Sequence, residues 1–247
     1  ASAADLVYMY TQIRGTVSGV VENTGDRTGL VLEDLNTGFD IPAGEQLVLR
    51  IRVRVLDTPI NVAGLTFTNT AYYTYNEVDD DPATQQGGDP GTSPPMTIVA
   101  PNLVMTKTGP LSANVGIPET FTLDVHNIGE SPAYAVTLND LLPNDADGGM
   151  CDVPPQNITA QVFESDGTTP VSALLAEGTD YTATFDGDPN CTLTLNFLTP
   201  ATVLGIDQRL IVTYDTVLDV GSQENVALTN VAGATEWFSL DVSDANN

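Results

Sequence analysis

Alternation of apolar and polar residues constrains this chain more than any other feature of its sequence. In Gln46–Leu56, QLVLRIRVRVL, the two kinds of side chain alternate with period two over most of the segment. This is the pattern of a β-strand that buries one of its faces. No segment offers a convincing helical stripe with capping residues at its ends. Strands are therefore expected to build the fold.

Further segments share the alternation and are rich in Val, Thr, Tyr, Leu and Phe. They are Leu65–Tyr75, Thr120–His126, Ala135–Leu141, Thr192–Phe197, Arg209–Thr216 and Val226–Thr235. Gly, Pro, Asn or Asp bounds most of them, as expected of short strands joined by turns. The pattern predicts an all-β fold of immunoglobulin-like β-sandwiches.

One stretch without apolar periodicity divides the chain. Asn76–Pro95 is acidic and then rich in Gly and Pro, which is typical of a linker. We therefore predict two tandem immunoglobulin-like units, residues 1–75 and 96–247, joined by the linker 76–95. Both units end in a Thr-Asn strand, which makes Asn69 and Asn230 equivalent. The first unit lacks the opening strands of the second, so it is either a divergent sandwich or an incomplete one.

The charge balance limits location and partners. Asp and Glu number 33 against 7 Lys and Arg, and the formal net charge is −26. Such a chain repels the phosphates of nucleic acid. No apolar run approaches the ~20 residues that span a bilayer, so membrane insertion is not expected. The excess of Asp suits a calcium-rich or salty exterior, and a secreted or cell-surface location is expected; alternatively, the acidic surface only keeps the protein soluble in salt.

The two cysteines, Cys151 and Cys191, both lie in the second unit. Two cysteines in an exported β-protein more often form a disulfide than bind metal, and no histidine or third cysteine completes a zinc site. We predict a disulfide, and the alternative is a pair of buried thiols.

Two acidic segments are candidate cation sites, and Ca²⁺ is the only cofactor that the sequence suggests. The candidate ligands are Asp79, Asp80 and Asp81 in the linker, and Asn144, Asp145 and Asp147 in NDADGGMCD. Closely spaced oxygen ligands followed by glycines suit calcium, although the closing Glu and the helices of an EF-hand are missing. The alternative is that these carboxylates are merely solvated.

The sequence carries no constellation typical of an enzyme. The only histidine, His126, lies in a predicted strand, which is no setting for a Ser-His-Asp triad. The pair Gly87-Gly88 belongs to the predicted linker and not to a phosphate-binding loop. We therefore expect a protein that is not an enzyme.

The second unit contains three segments in a fixed order: APNLVMTKTGP, GIPETFTLDVHNIGESPAYAVTLNDLLP and ENVALTNVAGAT. In these segments and their order it resembles the DUF11-type repeats of bacterial and archaeal surface proteins. The resemblance covers Ala100–Thr235 and, in part, Gly44–Tyr75. The resemblance implies a stalk or fibre module, and some members of that family carry intramolecular isopeptide bonds.

Lys107, the only lysine of the chain, and Asn230 are candidates for such a bond. They lie in the first and last strands of the second unit, which can run side by side in a Greek-key sandwich. The amine must be neutral to attack the carboxamide, and burial lowers a lysine pKa. A protonated carboxyl group must polarise the amide and move the proton; Asp140 is the preferred candidate and Asp124 the second.

Each of these residues also has an ordinary structural interpretation. Lys107 can be an edge-strand lysine that discourages pairing with another chain. Asn230 can form local hydrogen bonds, and Asp140 can start the turn before Leu141-Leu142-Pro143.

We expect a structural module of an extracellular stalk, sheath or self-assembling fibre. Its partners would be copies of itself or neighbouring repeats, with strand exchange between subunits if the first unit is incomplete. The alternative is an adhesin that binds a glycan or protein of a host or cell surface through Pro143–Glu177, where Phe163 is the only aromatic residue available to stack on a sugar.

Overall fold

The computed structural model describes residues 6–14, 20–23, 31–34, 44, 48–55, 59–78 and 81–241. The chain forms two compact units, Ala1–Ile98 and Val99–Asn247. The described regular structure is strand apart from the 3-10 turns Pro82–Thr84 and Pro200–Thr202. All ladders between strands are antiparallel, which confirms the predicted all-β fold. In this described part of the chain, no helix has the length and apolarity needed to cross a bilayer.

The described strands of the first unit pair two by two. They are β1 (Leu6–Arg14), β2 (Val20–Asn23), β3 (Val31–Asp34), β4 (Val48–Val55), β5 (Thr66–Phe67), β6 (Thr70–Ala71), β7 (Thr74–Asn76), β8 (Gln85–Gly87), β9 (Gly91–Thr92) and β10 (Met96–Thr97). The pairs are β1 with β4, β2 with β3, β5 with β10, β6 with β9 and β7 with β8. An immunoglobulin-like topology for this unit stays a prediction.

The predicted linker Asn76–Pro95 forms the returning arm of an interrupted hairpin. Its strands β8 and β9 pair with β7 and β6, and β10 pairs with β5 just beyond it. The turn Pro82–Thr84 lies at the tip, where the Asp81 side chain accepts a hydrogen bond from the Ala83 amide. The boundary between the units thus falls after Ile98. Strands of two or three residues are too short to give a periodic signal, so the composition alone favoured a linker.

The second unit is a sandwich of two four-stranded sheets. Its strands are β11 (Leu103–Thr108), β12 (Pro118–Asn127), β13 (Tyr134–Leu141), β14 (Asn144–Asp145), β15 (Gly148–Gly149), β16 (Gln156–Phe163), β17 (Tyr181–Asp186), β18 (Thr192–Phe197), β19 (Arg209–Val217) and β20 (Val231–Phe238). The first sheet has the order β11-β12-β19-β16, the second has the order β17-β18-β13-β20, and β14 pairs with β15 in a small hairpin. The first strand and the last strand are therefore edges of opposite sheets, and the two are in contact.

The inward residues of these strands form one core. In β19 the buried residues Leu210, Val212 and Tyr214 alternate with partly exposed neighbours, as the sequence pattern predicts. The core also takes residues from β12, β13, β16 and β18. Because each sheet buries one face only, any residue that keeps this register faces the core whatever its polarity.

The predicted disulfide between Cys151 and Cys191 is confirmed, with the Cα atoms 5.3 Å apart. Cys151 lies between β15 and β16, and Cys191 directly precedes β18. Both residues are buried. The bond closes a loop with a sequence separation of 40 residues.

Reducing this disulfide is expected to lower the free energy of unfolding by about 3–4 kcal/mol, because the unfolded chain regains the entropy of the open loop. Urea unfolding with and without a reductant measures the change. The double variant Cys151→Ser, Cys191→Ser is the control and is expected to be insensitive to the reductant. Equal stability of the oxidised and reduced protein would contradict the prediction.

Candidate functional site

Lys107 faces the interior because it keeps the register of its strand. In β11 the partly buried residues Leu103, Met105 and Lys107 alternate with exposed ones. The Lys107 side chain is only 13% exposed. An edge lysine that protects a strand from pairing points into solvent, and Lys107 does not.

Asp140 faces the same interior from the second sheet. It follows Val136 and Leu138 on the buried side of β13, and its side chain is 1% exposed. The Lys107 Nζ atom lies 2.5 Å from Asp140 Oδ1 and 2.6 Å from Oδ2. The amine and the carboxyl group thus meet across the two sheets in a nearly water-free position.

Tyr214 joins this pair from the centre of the first sheet. Its hydroxyl group donates to Asp140 Oδ2 at 2.7 Å and accepts from Lys107 Nζ at 3.0 Å. The residue is fully buried on β19. Its ring is stacked with that of Phe121, with 5.7 Å between the ring centroids.

Asn230 completes the cluster from the segment that leads into β20. Its Nδ2 atom donates to the Tyr214 hydroxyl at 3.2 Å. Its Oδ1 atom is buried and has no hydrogen-bond partner in the described part of the chain. A buried carbonyl oxygen without a donor is uncommon in native proteins and carries a cost of about 1–3 kcal/mol.

Aromatic rings surround the amine and remove it from water. The Lys107 Nζ atom lies 5.3 Å from the centroid of the Phe121 ring and 5.6 Å from that of Tyr214. The Phe121 ring passes so close to Gly109 that a Cβ atom there would be 2.4 Å from it. Any larger residue at position 109 would displace this ring from the cluster.

Burial sets the protonation behaviour of the cluster. Desolvation lowers the pKa of Lys107, although the neighbouring Asp140 carboxylate acts in the opposite direction. Burial, followed by the charge of Asp140, raises the pKa of Tyr214. The amine is thereby brought closer to its neutral, nucleophilic form, while the tyrosine keeps its proton.

The structure places the alternative carboxylate, Asp124, outside this cluster. Asp124 lies on the outer side of β12, where its Oδ2 atom accepts a hydrogen bond from Arg209 Nη1 at 2.8 Å. The sequence analysis preferred Asp140 and kept Asp124 as the second candidate, because both lie in alternating strands. The register separates them: Leu123 and Val125 are buried on either side of Asp124, which faces outward.

The candidate calcium ligands use their polar atoms within the protein. Asp145 accepts from the backbone of Asp147, Asp147 accepts from Gln223, and Asn144 donates to Asp188. Asp81 caps a 3-10 turn, and Asp79 and Asp80 lie outside the described residues. Over residues 81–241 and the other described ranges, no group of three or more His, Cys, Asp or Glu is arranged to hold a metal ion.

The sequence reasoning missed Tyr214, which contacts all three predicted members of the cluster. A signal was present in the alternation of β19, where Leu210 and Val212 predict that residue 214 faces inward. A hydroxyl group at an inward position of a central strand requires a buried partner, and Lys107 and Asp140 were already expected in the core.

A comparison with known protein families finds no family that matches this chain, and a comparison with curated proteins finds no relative.

Replacing Asp140 and Asp124 separately is expected to give unequal losses of stability. Asp140→Asn leaves a buried amine without its carboxylate and is expected to cost about 3–5 kcal/mol. Asp124→Asn breaks a partly exposed ion pair on the outer face and is expected to cost less than about 1 kcal/mol. Chemical unfolding of both variants measures this, and similar losses would contradict the placement of the two residues.

Proposed function

We propose that the second unit is a load-bearing structural module of an extracellular stalk or fibre, strengthened by an amide bond between Lys107 Nζ and Asn230 Cγ. The observation that carries the proposal is the buried cluster of an amine, a carboxyl group and a carboxamide, all in contact with one tyrosine hydroxyl.

The proposed reaction is the attack of a neutral amine on a side-chain amide. A bond forms between Lys107 Nζ and Asn230 Cγ, the bond from Cγ to Nδ2 breaks, and ammonia leaves. The amine gives up one proton in this exchange and the departing nitrogen gains one. Asp140, 2.5 Å from Nζ, is the group that accepts the proton of the amine.

Proximity supports this reaction. Both nitrogen atoms that exchange places, Lys107 Nζ and Asn230 Nδ2, lie within 3.2 Å of the same Tyr214 oxygen. Because the fold already holds the two reactants together in a dry site, the reaction avoids the entropy loss of a bimolecular encounter. The folded core therefore provides the proximity and the exclusion of water that the slow reaction of an amine with an amide needs.

The energetics of the unreacted cluster favour the product. An ammonium and a carboxylate buried together lose hydration that their attraction recovers only in part. The amide bond removes the charge of the amine, and a protonated Asp140 can then donate a hydrogen bond inside the core. The unpaired Asn230 oxygen is the natural acceptor of that hydrogen bond.

A bond at these positions would join the two sheets. Lys107 belongs to the edge strand β11, and Asn230 leads into β20 at the edge of the other sheet. Together with the disulfide, it would give the sandwich two covalent ties between segments far apart in sequence. Resistance to unfolding, proteolysis and force is the expected benefit. The reaction consumes its own groups and occurs once per chain, so the proposed protein is not an enzyme.

The proposal includes the location of the module and its partners. The net charge of −26, the disulfide and the resemblance to DUF11-type repeats support a secreted or cell-surface fibre whose partners are copies of itself or neighbouring repeats. Binding of a glycan through Pro143–Glu177 gains little support, because Gln156–Phe163 in this segment is strand β16 of the first sheet.

With the disulfide reduced, the purified protein is expected to weigh one ammonia less than its sequence, and Lys107→Arg is expected to have the full mass of its own sequence. Arginine keeps the positive charge but is not a nucleophile here. Because Lys107 is the only lysine, digestion should yield a single branched peptide pair that joins it to Asn230.

The matched control is Asn69→Ala. Asn69 was predicted to be equivalent to Asn230, but it is exposed and its backbone pairs with Ser93. This variant should keep the mass deficit, whereas Asn230→Ala should lose it. A wild-type protein of full mass would reject the cross-link.

A further inference from the structure

The proposed cross-link leaves the route of one proton to be explained. Lys107 loses a proton on the side of Asp140, but the proton is needed at Asn230 Nδ2, because an amide nitrogen leaves readily only as ammonia. A general acid must therefore lie beside Nδ2.

No described hydrogen bond joins Asp140 to that nitrogen. Its two oxygens accept from Lys107 Nζ, at 2.5 and 2.6 Å, and Oδ2 also accepts from the Tyr214 hydroxyl at 2.7 Å. The Nδ2 atom instead donates to the Tyr214 oxygen at 3.2 Å. Among the described hydrogen bonds, the hydroxyl group of Tyr214 is the link between the carboxyl group and the leaving nitrogen.

We infer that Tyr214 is the catalytic acid of the cross-linking reaction and transfers a proton from Asp140 to the departing ammonia. The inference rests on the cross-link proposed above and adds the residue that completes its proton path.

The proton balance closes within the cluster. The ammonium of Lys107 first transfers one proton to Asp140, which leaves a neutral amine beside a protonated carboxyl group. The amine attacks Cγ, and Nδ2 becomes an amine nitrogen of the tetrahedral adduct that can accept a hydrogen bond. Asp140 then transfers its proton to the Tyr214 oxygen while the Tyr214 hydroxyl proton moves to Nδ2, and the bond from Cγ to Nδ2 breaks. Asp140 finally accepts the second proton of Nζ, so the products are the amide, ammonia, a protonated Asp140 and an unchanged Tyr214.

The environment of Tyr214 favours a coupled transfer in which its oxygen accepts one proton while its hydroxyl proton leaves. Burial beside Asp140 raises the pKa of Tyr214, so a separate tyrosinate is unfavourable and the two transfers are coupled. Stacking against Phe121 fixes the ring, and the 3.0 Å contact with Lys107 Nζ fixes the hydroxyl group beside the nucleophile.

The test is the rate of cross-linking in Tyr214→Phe, a variant that keeps the ring and removes only the hydroxyl group. The full-length protein is synthesised in a short pulse, chased for increasing times, quenched in denaturant and weighed. Loss of a general acid is expected to slow the appearance of the ammonia deficit by at least about a hundredfold.

Tyr181→Phe is the matched control for the loss of a buried tyrosine hydroxyl. Tyr181 is 1% exposed, its hydroxyl group donates to the Ile158 carbonyl at 3.2 Å, and its ring packs against Phe197 away from the cluster. This variant is expected to cross-link at the wild-type rate.

The pH dependence separates an acid from a residue that only supports packing. In Tyr214→Phe the departing ammonia must take its proton from solvent, so conversion of the unreacted fraction is expected to accelerate as the pH falls. A packing defect would slow the reaction without this acceleration.

The outcomes also separate the two proposals. A wild-type mass without the deficit rejects the cross-link and, with it, the role of Tyr214. A cross-linked wild type with a Tyr214→Phe variant that reacts equally fast, or one that reacts slowly at a rate independent of pH, overturns the role of Tyr214 alone.

Discussion

The burial of a single amine between two sheets is the constraint on which the rest of the second unit depends. Taking an ammonium and a carboxylate out of water costs several kcal/mol for each ion, and replacing such a pair by apolar residues often stabilises a protein. Lys107 and Asp140 are nevertheless surrounded by aromatic rings, and Gly109 leaves room for one of those rings. The unfavourable burial of this ion pair is easier to understand if the two groups react, because the proposed amide bond would remove the charge of the amine.

The two ends of the sandwich are held by different chemistry. Cys191 lies beside the end of β13, where its carbonyl group accepts from the amide of Leu142, so the disulfide is at the same end as Asp140. At the opposite end the described polar contacts include a network of hydrogen bonds. There Asn127 is fully buried, and its side chain donates to the carbonyl groups of Ser131, Leu204 and Gly205. The disulfide and the proposed amide bond thus lie at the same end of the unit.

The sequence predicts the long strands well, since a buried face leaves its period in the residues: β18 has the bounds that the alternation indicates, Thr192–Phe197. Strand order and the single lysine of the chain pointed to Lys107 and Asn230, whereas the preference for Asp140 came from the resemblance to DUF11-type repeats. Tyr214 was missed because many core tyrosines look alike in a sequence, and only distances show which hydroxyl group lies between an acid and an amide. The arm formed by Asn76–Pro95 could not be predicted, because its strands of two or three residues are too short to repeat a pattern.

The direction of the edge strands has a mechanical consequence. β11 runs from Leu103 toward Lys107, and β20 runs from Val231 to Phe238, with Lys107 and Asn230 at a common end. The start of β11 and the end of β20 therefore lie toward the other pole of the described sandwich. Tension applied at these two strand ends would separate β11 and β20 from their sheets one backbone pair at a time, starting at the ends. A covalent bond between Lys107 and Asn230 would stop this separation after a few residues, and the chain between these two residues would then carry no load.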